Sequence, residues 1–339
     1  MSGELVTATI TAQSIWRADV DDAVVAVAAA RDGRIAVVGA EGSLTLLSAD
    51  GEVATRQVVS PGCLAVSWSP TGDRVAVGSI DGFSVFDTEA QQITAHRGGW
   101  CSALAWSFDG ARLAAGVGRS VVVASADGTQ LMRRDRDSTV TGVAWIKSRV
   151  AAAAYGGVHV YHVSDSTAAD ILPFTGSLLA LAISPDRRWA ASGNQDATLH
   201  VWRVGRQGQE LEMSGYPTKI TTLAFSPDST LLASGGGPNV TVWDFRGSGP
   251  KGSSPRVLSA HEKVVTGLAW SPDGTVLASS GDDGLVAAWK PSAAVPGRPV
   301  GATKLWTDPA PATTVTWSPA GAVVAGWANG VVAGHEVRG

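Results

Sequence analysis

One repeated phrase limits what these 339 residues can fold into. It reads VSWSPTGDRVAVGSIDG, LAWSFDGARLAAGVG, LAISPDRRWAASGNQDA, LAFSPDSTLLASGGG, LAWSPDGTVLASSGDDG and VTWSPAGAVVAGWANG, with eroded copies VAAARDGRIAVVGAEG and VAWIKSRVAAAAYGG. The residue before the Ser-Pro pair serves as a ruler. It falls at Ala29, Trp68, Trp106, Trp145, Ile183, Phe225, Trp270 and Trp317, at intervals of 38 to 47 residues. Three or four short apolar runs in a period near 40 describe a four-stranded unit that must stack on its neighbours to bury both faces. Helical repeats of similar length are excluded, because the runs are short, rich in Val, and cut by Gly, Pro or Asp every few residues.

Within a unit, the inner strand (Val265–Trp270) ends in a Ser-Pro-Asp-Gly turn, whose Pro and Gly supply the dihedrals of a tight reversal. A second strand over 275–280 ends at Gly-Asp-Asp-Gly, and a third carries Leu285–Trp289. Two places before the ruler stand Val or Leu in every copy; one place before it stands Ala or Ser in seven, with Thr316 in the eighth. Large residues that fill the space between sheets, beside small ones where backbones approach, suit sheets packed radially. The fold class expected is therefore all-β: a closed β-propeller of four-stranded antiparallel blades, one domain over 1–339. Eight inner strands predict eight blades; seven follow if one eroded copy contributes none. The last unit ends at VVAGHEVRG with no outer strand, whereas 5–16 (LVTATITAQSIW) belongs to no complete unit. Residues 1–16 are expected to close the ring as the outer strand of the last blade, which removes an exposed edge.

Composition narrows the function classes. Net charge is −4, so no global field draws the chain to nucleic acid or an anionic membrane. No apolar run reaches the roughly 18 residues of a membrane helix, and the N-terminus lacks a basic segment followed by an apolar block. Cys63 and Cys101 are too few for a disulfide framework or a four-cysteine zinc site. These features predict a cytoplasmic, monomeric propeller with no membrane partner.

The repeats resemble the WD40 family across essentially the whole chain, the best copy being LSAHEKVVTGLAWSPDGTVLASSGDDGLVAAWK. The Ala- and Val-rich copies look like a free-standing bacterial member. The resemblance implies a structural tetrad, linked by hydrogen bonds from the loop before the inner strand to the third strand: His261, Ser279, Asp283 and Trp289. Only this blade keeps all four. The fifth has Phe174 in the His place, the sixth has Tyr216 there, and the third has His96 one residue further from its ruler.

No catalytic residue, metal ligand or cofactor is assigned. The Ser, His and Asp of the seventh copy belong to the tetrad, and no GxSxG elbow surrounds Ser279. Cys63 and Cys101 share a register filled elsewhere by Val, Leu, Ile or Ala, so they read as core thiols. His159, His200 and His335 lie on third strands of different blades without metal-ligand spacing. Trp100 differs from the core tryptophans: it stands six before its ruler, where inner strands emerge on the top face that commonly contacts partners in WD40 proteins. Tyr155, Gln195 and Asp282, just before the second turn's key position, share that face. A second candidate is basic: the loops at 245–260 and 290–304 carry Arg246, Lys251, Arg256, Lys290, Arg298 and Lys304 and no acid, and fall on the bottom face. The function expected is a non-catalytic scaffold that binds other proteins on its top face. The alternative is an enzyme or a small-ligand or metal binder that uses the central channel.

Overall fold

A computed structural model describes residues 10–165, 167–206, 208–294, 296 and 300–338. The chain forms eight four-stranded antiparallel sheets arranged in a ring, an eight-bladed β-propeller. Both eroded copies contribute blades. Blade 1 has its inner strand at Val24–Ala29 and blade 4 at Gly142–Ile146. The other inner strands are Cys63–Trp68, Ala103–Trp106, Leu178–Ile183, Thr222–Phe225, Val265–Trp270 and Ala312–Trp317, blades 2, 3, 5, 6, 7 and 8 in turn. Second strands such as Val75–Ser79 and Leu277–Gly281 are wholly buried, as sheets covered on both faces require.

The turn after the inner strand has a local cause. In blade 7 the Ser271 hydroxyl donates to Asp273 (2.6 Å) and the Gly274 N–H to the Ser271 carbonyl (2.8 Å). Gly274 sits at φ +73°, which only glycine adopts freely. Blade 3 builds the same turn with Ser107, Asp109 and Gly110, but Phe108 stands where five other blades have proline.

Thr11–Asp19 closes the ring, pairing antiparallel with the third strand of blade 8 (Val331–Arg338). The closing strand thus runs to Asp19, past the expected end at Trp16, and its described part begins at Thr11; residues 1–9 of the expected span lie outside the described residues. Trp16 fastens it. A Cβ on Gly334 would lie 2.4 Å from the Trp16 ring, and one on Gly51 would lie 2.5 Å from it, so the indole rests on bare backbone of both blade 8 and blade 1.

Adjacent inner strands are stitched at both ends. At the upper ends, Thr141, Thr266 and Thr313 donate to the carbonyls of Leu178, Ala312 and Val24 in the next blade (2.6–2.8 Å). At the lower ends, the ruler indoles of Trp106, Trp145, Trp270 and Trp317 donate to Ser67, Ala105, Ala224 and Ala269 of the preceding blade (2.8–3.2 Å). Trp68 breaks the series: its buried N–H has no partner among the described residues. Blade 1 has no indole to offer, since its ruler is Ala29. The inner strands that line the channel contain no Asp, Glu, Lys, Arg or His.

Candidate functional site

In an antiparallel blade, the loop before the inner strand and the turn between second and third strands emerge on the same face, here called the top. The slot nine residues before each ruler sits under that face, and the chain fills it differently in each blade. In blade 7, His261 is fully buried; Nδ1 donates to Asp283 (3.1 Å) and Nε2 meets the Ser279 hydroxyl (2.6 Å). Burial would raise the Asp283 carboxyl, but the bonds from His261 and from the N–H groups of Glu262 and Leu285 outweigh it and hold it below its ordinary value. Trp289 joins this group by packing alone: its ring lies 6.0 Å from the imidazole and its N–H has no acceptor among the described residues. The hydrogen-bonded set is therefore three residues, where the family resemblance implied four.

Tyr216 solves the same slot in blade 6. Its hydroxyl lies 2.7 Å from the Ser234 hydroxyl and accepts the Trp243 N–H (2.9 Å), and burial pushes its phenol upward. Tyr216→Phe should leave the Trp243 N–H unpaired and Ser234 with only its bond to the Thr241 carbonyl (3.3 Å), and cost about 1–3 kcal/mol; a urea titration beside the wild type would show no change if this chain of bonds were idle. In blade 4 the slot holds Arg136, which bonds His159 Nδ1 (3.1 Å) and the Tyr161 hydroxyl (3.3 Å). Burial, helped by that guanidinium, drives His159 down to about 4, so it stays neutral. In blade 5 Phe174 packs edge-on against His200 (5.2 Å). His96 lies off the slot: it stacks on Phe83 and contacts the Gly128 carbonyl (2.9 Å).

On the top face, Trp100 and Tyr155 are each 59% exposed, on the adjacent blades 3 and 4. Gln195 and Asp282 are also exposed, but they stand on blades 5 and 7, so the four residues do not form one cluster. Ile80 is an exposed apolar neighbour on blade 2 that the sequence reading did not single out. The signal was present: Ile80 precedes Asp81-Gly82 as Asp282 precedes Asp283-Gly284. Val58, also exposed, ends the outer strand of blade 1 on the same face.

The lower basic loops hold fewer free cations than their sequence suggests. Asp244, one residue before the first loop, takes Arg246 as a close ion pair and Arg256 at 3.6 Å, and Arg246 foremost holds its carboxyl at about 2. Arg256 Nε also donates to the Ala294 carbonyl (3.1 Å), and Val300 bridges Leu258, so the two loops are tied together rather than free in solvent. Lys251 and Lys304 remain exposed and Lys290 is half-buried; Arg298 lies outside the described residues. Cys63 and Cys101 are buried and unbridged, and burial pushes both thiols to about 12, far from thiolate chemistry. Among the described residues no three His, Cys, Asp or Glu side chains gather as a metal site, and no helix is long and apolar enough to cross a membrane.

The family model described as "WD domain, G-beta repeat" matches residues 88–129, 171–203, 208–244 and 252–290. Those four stretches are WD40 repeats. Among curated proteins it is similar to small ribosomal subunit protein RACK1 of Schizosaccharomyces pombe, 31% identical over 98 residues. That match spans 25% of this chain and 31% of the relative, so it covers about a third of the relative's length. The relative is eukaryotic and does not bear on the bacterial origin suggested by composition. Among solved structures, the C-terminal WD40 domain of Sif2 matches with a TM-score of 0.81 at 14% identity, over 97% of this chain and 99% of that one. The computationally designed Ika8 protein matches with a TM-score of 0.76 at 22% identity, over 93% and 96%. At such identities these likenesses speak for the propeller alone.

Proposed function

We propose that this WD40 chain is a non-catalytic platform that receives a partner protein on its top rim, across blades 2 to 4. The observation that carries the reading is Trp100, a large indole left 59% exposed in a slot where other copies have Gly62, Thr139 or Ser177. The repeat does not need that area for its own core. Tyr155 and Ile80 extend the same apolar arc, and aromatic anchors of this kind dominate binding energy at interfaces. WD40 propellers generally mediate protein–protein interactions, which supports the class of function. The channel alternative has weaker support, because its inner-strand wall offers no acid, base or charged ligand. Two unbridged, neutral thiols favour a reducing compartment, in keeping with a cytoplasmic role.

Trp100→Ala should leave a cooperative melt and weaken capture of the physiological partner at least about tenfold, the loss of one anchor worth about 1.4 kcal/mol. The comparison is a pull-down from the native cell beside a melting curve, with Asp282→Ala on blade 7 as the distant control. Capture unchanged by Trp100→Ala would move the interface off this arc.

A further inference from the structure

The lower mouth of the channel carries a knob and a hole of matching kind. The knob is Phe108 on blade 3, 87% exposed, in a turn where five other blades place proline. Nothing in the turn calls for an aromatic ring: its hydrogen bonds come from Ser107, Asp109 and Gly110. The hole lies over blade 1. Ala29 takes the ruler place that holds tryptophan in both flanking blades, and Ala30 the place of the turn serine, which leaves a notch between Trp68 and Trp317 on the blade 1 side of a mouth depression of about 730 Å³, whose wall also includes Phe108 and Asp109 on blade 3 and Pro272 on blade 7. It adjoins the seam at which Trp68 has no acceptor among the described residues.

Phe108 and the notch at Ala29 and Ala30 stand two blades apart on the wall of this one depression, each where an inner strand ends. A twofold axis lying in the plane of that face, over blade 2, exchanges blade 1 with blade 3. Two copies related by it set each Phe108 over the other's Ala29 and Ala30. That satisfies the self-complementarity a closed dimer needs. The charges obey the same operation. Arg31, beside the hole, is exposed and has no partner among the described residues. Asp109, beside the knob, is exposed, and the Ser107 hydroxyl foremost holds its carboxyl below the ordinary value. The exchange brings Arg31 of one copy to Asp109 of the other, twice. Asp32 next to Arg31 does not compete, being paired with Arg34 at 2.6 Å.

We infer that this chain forms a face-to-face homodimer through its lower mouth, Phe108 of each copy seated in the blade 1 depression of the other. The monomer expected from sequence gives way to this pair, and the top rims are left pointing outward on opposite sides. The test is sedimentation equilibrium of the full chain across a wide concentration range. The wild type should dimerise. Phe108→Pro, which restores the residue other blades carry at this turn, should keep the melting curve and raise the dissociation constant at least about tenfold. Arg31→Glu, facing Asp109 across the interface, should weaken the dimer further at low salt than at high salt. Trp100→Ala should leave the dimer intact, so failure here is separate from failure of the top-rim reading. A wild type that stays monomeric throughout, or a dimer indifferent to Phe108→Pro, overturns the inference, including the case in which another protein occupies the mouth.

Discussion

A chain lacking residues 1–19 is expected to lose its cooperative melt or to aggregate. The deletion removes the outer strand of blade 8 and leaves the edge of Val331–Arg338 unpaired, a template for pairing between molecules. It also removes the Trp16 indole that rests on Gly334 and Gly51, together with the Asp19 carbonyl that Arg56 Nη2 holds at 2.8 Å. The seam between blades 8 and 1 keeps the Thr313 bond to the Val24 carbonyl but lacks an indole bond at its lower end, because Ala29 supplies none. With domain stabilities of about 5–15 kcal/mol, opening the ring is comparable with the whole margin. Circular dichroism melts with light scattering measure the effect. A synthetic strand of residues 10–19 added in trans should restore part of the transition. Trp16→Ala alone should cost about 1–3 kcal/mol through lost contact area. A truncated chain that melts like the full one would show that closure through this strand contributes nothing.

His261→Ala is expected to be the most damaging single substitution among the six histidines. It strands the fully buried Ser279 hydroxyl and removes the ring that bonds the Asp283 carboxylate. An unpaired buried hydroxyl costs about 1–3 kcal/mol, and an Asp283 carboxylate left with only the Glu262 and Leu285 N–H groups adds to it, for a total of about 2–4 kcal/mol. His162→Ala, at an exposed position, is the proper control, with a change within about 0.5 kcal/mol. His159 is not one, since Arg136 donates to it. The check is a denaturant midpoint for each variant; equal losses at His261 and His162 would remove the case for a specific network in blade 7.

The ruler residues made the fold legible because blade formation is local. Most units set a large residue at the place of Leu268, a small one at the place of Ala269 and a turn rich in Ser, Pro, Asp and Gly within about a dozen residues, and that pattern survives in a linear string. The tetrad was legible only in part. His261, Ser279 and Asp283 meet because their register places them together, but whether Trp289 reaches an acceptor depends on how one ring tilts against its neighbours. The basic loops misled for a related reason: Asp244 lies just outside their span, and its grip on Arg246 and Arg256 exists only once the strand ends beside both.

By itself the sequence determined the four-stranded repeat, the inner strands, the N-terminal closing segment and the register of Trp100, since all of these follow from counting along a repeat; it left eight blades or seven, and the structure decided for eight. Tertiary structure alone decided which rim residues stand on neighbouring blades. It set Ile80, Trp100, Tyr155 and Gln195 on consecutive blades but carried Asp282 away to blade 7, and it set Phe108 two blades from Ala29 on one mouth. The physical reason is that a propeller converts distance along the chain into angle around a ring. Spacing within a blade is therefore written in the sequence, whereas the surfaces that partners meet are assembled across blades by packing.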